Sequence, residues 1–154
     1  MVSLENIVDS LTVNLSFYKN IYRDFQEEKI SINDSMMESF IELIKEEIKI
    51  VDDIFEFRIK RVNEIENPYL PPVIHNNYFL LGEDSGQQSQ LTSLLEYLIN
   101  VKETVLKYII HISPARYSRT GYHWQEGHIS LSELIERYVE NDSKFIREIQ
   151  KRLL

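Results

Sequence analysis

The sequence predicts an all-α fold, and three observations carry the prediction. Four long stretches space their apolar residues three and four positions apart, no run alternates persuasively in the manner of a strand, and Gly and Pro gather in two clusters between the stretches. At 154 residues the chain is the size of one domain, read as a single helical unit over 1–154. Folding a chain of this size removes roughly 70% of its unfolded surface from water, so an apolar core can stabilise it without staples.

The first helix follows from Leu4, Val8, Leu11, Leu15, Tyr18, Tyr22 and Phe25, which form one stripe. The second carries Met37, Ile41, Ile44, Ile48, Val51, Phe55 and Val62, and Ser35 with Glu38 reads as the capping box at its start. The third comes after the polar run Gln87 to Gln90 and has Leu91, Leu94, Leu98, Val105 and Ile109, stopping before Pro114. The fourth opens on a second capping box, Ser130 and Glu133, and buries Leu131, Leu134, Tyr138, Phe145 and Ile149.

Four such helices satisfy one another's apolar faces most simply as a four-helix bundle. The short connection over 28–33 favours antiparallel packing of the first two helices. Residues 66–85 are longer than an ordinary helix link, which predicts a crossover between the second and third helices and permits those two to run parallel. Pro71 and Pro72 stiffen this segment, with Tyr69, Leu70, Tyr78 and Phe79 as its anchors.

Composition narrows the function classes. The chain contains no Cys, which excludes disulfides, thiolate metal sites and a cysteine nucleophile. Its formal net charge of -8 disfavours unfocused attraction to nucleic acid or anionic lipid. Met1 to Leu15 carry Glu5 and Asp9 rather than a basic start and an apolar run, and every hydrophobic run is interrupted by polar residues; the expectation is an unexported, cytoplasmic protein without a membrane span. No Gly-rich phosphate loop, HExxH sequence or nucleophile elbow occurs.

Four histidines, at 75, 111, 123 and 128, are dispersed. His123 and His128 lie five apart in a stretch, 122–129, that reads as a loop and lacks the helical i, i+4 presentation of two imidazoles. His111 falls near the end of the third helix, where it suits the helix dipole. Tyr108, Tyr117, Tyr122 and Trp124 surround the last connection, with core packing as their default role, and Arg116 and Arg119 stand beside them.

Asp52-x-x-Phe55-x-x-Arg58-Ile59, followed by Asn67-Pro68-Tyr69-Leu70-Pro71-Pro72 and Tyr78, resembles the end of the second helix and the proline-rich crossover of the DinB-like superfamily. Arg119-Thr120-Gly121, Gly127-His128-Ile129-Ser130-Leu131-Ser132-Glu133-Leu134 and Asn141-Asp142 are similar to that family's approach to its last helix. The resemblance covers most of the chain and is weakest over the first helix and residues 83–100. It implies a four-helix bundle with a crossover, commonly a homodimer, and a three-histidine site for a divalent metal that serves thiol transferases and related isomerases. One family histidine lies five residues before the position that Asp52 matches, which is Glu47 here; the H-x3-H pair falls on Asn141 and Phe145.

None of the three is histidine. Phe145 has no lone pair, Asn141 offers a neutral carbonyl oxygen and Glu47 a single carboxylate, so no metal or other cofactor is expected at the inherited place and no catalytic residue is assigned. Asn14 and Asn141 fall close to the buried stripes and Glu47 beside one, and with Arg58 and Tyr138 they form a candidate remnant pocket. The run Lys45-Glu46-Glu47 favours the alternative in which Glu47 points outward on an acidic face. The leading expectation is therefore a non-catalytic ligand-binding or interaction module, a homodimer with an unidentified small-molecule ligand and no nucleic-acid partner. The runner-up is a metal-dependent thiol transferase with a rebuilt site, which requires the histidines to converge.

Overall fold

In the computed structural model, which describes residues 3–73 and 86–153, four long helices carry the core: α1 (Leu4–Gln26), α2 (Asp34–Ile54), α4 (Gln87–Ile110) and α5 (Leu131–Leu153). The second predicted stripe is one continuous rod in which a π-helical turn, Phe55–Ile59, joins α2 to a short α3 (Lys60–Glu64). Residues 74–85 of the expected crossover, with Tyr78 and Phe79, lie outside the described residues, as does His75.

The helix starts agree with the sequence in one case and correct it in the other. Ser130 Oγ accepts from the backbone N–H of Glu133 at 3.1 Å, as its box predicts. At α2 the cap is Asn33 instead of Ser35: its side-chain oxygen accepts from Met36 N–H at 2.8 Å. Asn is as good a cap as Ser, and its earlier position lets Asp34 enter the first turn, where a carboxylate suits the helix dipole.

Two apolar clusters fill the interior, and their membership sets helix direction. One joins the C-terminal half of α1 (Tyr18, Ile21, Phe25) to the N-terminal halves of α2 (Phe40, Ile44) and α4 (Leu91, Leu98) and the C-terminal half of α5 (Phe145, Ile149). The other joins the opposite halves: Ile7 and Leu11, Val51, Val105 and Ile109, Leu134 and Tyr138. Thus α2 and α4 run parallel, and α1 and α5 run the other way. The first two helices are antiparallel in direction as expected, yet their closely packed neighbours are α4 and α5 rather than each other. Residues 27–33 can reach about 23 Å when extended, which exceeds a diagonal of about 14 Å between helices packed at ~10 Å.

A small sheet covers the second cluster. β1 (Tyr69–Leu70) pairs in parallel with β2 (Thr120–His123), which forms a hairpin with β3 (Gly127–Ser130). Residues 122–129 are therefore a hairpin and not the loop the sequence suggested. Each strand of the hairpin has only four residues, too few for alternation to stand out from the sequence. Gly121 is required by close approach: a Cβ there would lie 3.0 Å from both Leu70 Cδ1 and Val62 Cγ2 and 3.1 Å from the Pro68 carbonyl. Among the described residues no helix is long and apolar enough to cross a membrane.

Candidate functional site

Each long helix places a polar residue on its buried stripe at the level where the two apolar clusters meet. On α1 these are Asn14 and Tyr18, on α2 Glu47, on α4 Lys102, on α5 Asn141 and Asp142. The spacing explains their inward direction. Glu47 lies three after Ile44 and four before Val51, Lys102 four after Leu98 and three before Val105, and Asp142 four after Tyr138 and three before Phe145. Glu47, Lys102 and Asp142 are 3%, 4% and 2% exposed.

Lys102 is the hub. Its Nζ donates to Glu47 Oε2 at 2.7 Å and to Asp142 Oδ1 at 2.5 Å. The carboxylates are held in turn: Tyr18 donates its hydroxyl to Asp142 Oδ1 at 2.7 Å, Asn14 its amide to Asp142 Oδ2 at 2.8 Å. Asn141 Nδ2 bridges Glu47 Oε1 and Oε2 at 3.1 and 3.2 Å. Three rings complete the enclosure, with Nζ 4.7 Å from the Tyr18 centroid, 5.4 Å from Phe145 and 5.9 Å from Tyr138. Such rings attract a cation through their faces.

The protonation states follow. Burial opposes the charge on Lys102, but Glu47 and the other groups around Nζ outweigh it and hold the ammonium well above the usual lysine range. Burial pushes the phenols of Tyr18 and Tyr138 upward, so both stay neutral, Tyr18 as a donor to Asp142. Burial also raises the Glu47 carboxyl, against the pull of Lys102 and Asn141. A protonated, hydrogen-bonded amine has no free lone pair, so Lys102 is neither a Schiff-base nucleophile nor a general base here.

Four of the five predicted pocket residues converge: Asn14, Glu47, Tyr138 and Asn141 share the cluster. The outward alternative for Glu47 is overturned by its burial; Lys45 and Glu46 make the run charged, whereas the angular position of Glu47 puts it on the stripe. Arg58 does not join them. It lies eleven residues beyond Glu47, about 16 Å farther along a helix, and donates to the Pro71 carbonyl at 2.7 Å. Lys102, Asp142 and Tyr18 went unassigned from the sequence, although Lys102 and Asp142 occupy the stripe positions missing between Leu98 and Val105 and between Tyr138 and Phe145.

The donor set does not fit the divalent metal that the resemblance implies. An ammonium already stands between the carboxylates, and among the described residues no imidazole bonds to it and no cluster of His, Asp and Glu suited to a metal occurs. The described histidines do not rebuild the site. His111 accepts the role of helix end, its Nδ1 2.7 Å from the Lys107 carbonyl oxygen. His128 stands opposite Tyr122 across the hairpin, which puts His123 on the other face of the sheet. A groove of about 270 Å³ approaches the cluster from outside, lined by Glu47, Asn141 and Phe145 together with Leu43 and Ile50. The chain matches no family model, no curated protein and no solved structure.

Proposed function

We propose that this chain is a DinB-like four-helix bundle, with a crossover between its second and third long helices, in which the protein's own Lys102 takes the place of a metal cation. On this reading the chain is a non-catalytic ligand-binding or interaction module, cytoplasmic and homodimeric. The observation that carries it is the meeting of Glu47, Asn141 and Phe145 around one ammonium: Glu47 accepts from Nζ, Asn141 holds Glu47, and the Phe145 ring faces Nζ at 5.4 Å. These are the three positions at which the resemblance places histidines, and they are far apart in sequence. The parallel course of α2 and α4 supports the crossover, since two parallel neighbours need a connection that returns along their length.

The chemistry supports a site without catalysis. Lewis-acid activation of a thiol or water needs a metal with an open coordination position. An ammonium offers three N–H donors and no coordination position, and two of those donors go to carboxylates here. Incubation of the full chain with nickel, zinc or iron(II), followed by dialysis and metal analysis, tests the reading. The expected result is substoichiometric metal. One ion per chain, lost in Asn141→Ala or Glu47→Gln, overturns it. Sedimentation tests the homodimer separately, and a monomer at all concentrations removes that part.

A further inference from the structure

A second cavity, of about 400 Å³, opens beside the π-helical turn and the β2–β3 hairpin, and no residue of the Lys102 cluster lines it. Arg58 is part of its wall and is only 5% exposed. A guanidinium has five N–H donors. Among the described residues Arg58 donates to the Pro71 carbonyl at 2.7 Å and, at the limit of hydrogen-bond distance, to the Phe57 carbonyl at 3.5 Å. Asp53 Oδ1 lies 3.5 Å from its Nε, and that buried oxygen has no hydrogen-bond partner among the described residues. A buried cation with donors to spare at the wall of a cavity calls for an acceptor.

The hairpin supplies the complement. His123 Nδ1 accepts from the backbone N–H groups of Gln125 and Glu126 at 3.1 and 3.2 Å, which puts the ring proton on Nε2. That Nε2 stands 3.9 Å from Glu126, too far for a hydrogen bond. The Trp124 ring stacks on His123 with centroids 6.0 Å apart and forms an apolar wall. Glu126 is itself engaged by Arg137 through two bonds of 2.7 Å.

We propose that this cavity binds a small organic monocarboxylate with a flat apolar body, its carboxylate taken by Arg58 and the His123 Nε2–H and its body lying against Trp124. A planar fork of donors matches a carboxylate in shape. Asp53 pairs with Arg58 and Glu126 with Arg137, so the wall holds no surplus of positive charge for a dianion such as phosphate. The inference is independent of the Lys102 cluster.

Trp124 is the single tryptophan of the chain, so its fluorescence reports on the cavity directly. The full chain is titrated with benzoate, benzamide and inorganic phosphate. Benzoate is expected to give a saturable change, with benzamide and phosphate at least about tenfold weaker. Arg58→Gln, checked for folding by circular dichroism, should weaken benzoate by about tenfold or more, and His123→Phe by a smaller factor. Because Arg58 is buried and its variant is at risk of misfolding, the exposed Trp124→Leu followed by calorimetry gives a second route, with several-fold weaker binding expected. An unsaturable response to benzoate, equal binding of benzamide, tighter binding of phosphate, or unchanged affinity in Trp124→Leu or in folded Arg58→Gln overturns the proposal.

Discussion

Replacing Lys102 by Met keeps a long flexible stem in place and removes only the ammonium. The variant leaves Glu47 and Asp142 buried and facing each other without their common counter-ion, and deletes the bonds of 2.7 and 2.5 Å. Breaking a buried ion pair from one side costs about 3–5 kcal/mol, because the remaining charge stays uncompensated. That is a large part of the ~5–15 kcal/mol that holds an ordinary domain together. Urea denaturation at pH 7 measures it as a lowered midpoint at unchanged slope. The deficit should narrow as pH falls from 7 towards 5, since proton uptake by the stranded carboxyls relieves them in the folded state only. Adding Glu47→Gln to Lys102→Met should recover part of the loss, a coupling that a double-mutant cycle reads out. A Lys102→Met cost below about 1 kcal/mol, within the range of a surface ion pair, refutes a buried charged hub.

The same cluster sets the alkaline limit. Lys102, Tyr18 and Tyr138 all have folded values above their ordinary ones, so above about pH 10 the unfolded chain loses these protons first and stability falls as pH rises. Urea midpoints between pH 9 and 11 should decline, and Lys102→Met should decline less steeply by one proton's slope of about 1.4 kcal/mol per pH unit. Glu47→Gln alone should cost less than Asp142→Asn, because Asp142 accepts from Tyr18, Asn14 and Lys102 while the raised Glu47 carboxyl is already costly to ionise; equal losses in thermal melts would contradict this. Gly121→Ala should destabilise by about 1–3 kcal/mol through overcrowding against Leu70 and Val62, and a neutral result would mean that β2 can move away from β1.

Helix existence was legible because each buried stripe repeats over five or more turns, so single polar interruptions do not erase it. Three features were not legible for physical reasons. The hairpin strands have four residues each, and their pairing depends on contacts with Leu70 and Pro68 that lie far off in sequence. The Asn33 cap competed with an equally good signal two residues later. The charged hub is a property of convergence: Lys102 alone breaks an apolar stripe, and only with Glu47 and Asp142 on facing helices does its burial become favourable. Arg58 shows the converse error: eleven residues beyond Glu47 on the same rod, it lies three turns away and turns to the Pro71 carbonyl instead.

Placing a buried polar layer between two apolar clusters also bears on uniqueness of packing. A slip of one helix by a single turn would bury Lys102 or Asp142 against hydrocarbon, so the layer penalises alternative registers in the manner of a polar residue at a coiled-coil seam.

Nitrogen-15 correlation spectra of the lysine side chains, recorded on the full chain before and after adding manganese(II), bear most directly on the central account. One ammonium signal, missing in Lys102→Met, should persist with slow proton exchange up to pH 10 and stay sharp in excess manganese. Its disappearance on adding the metal, with one manganese ion retained per chain, would mean that an external cation displaces the lysine and that the internal place is still a metal site.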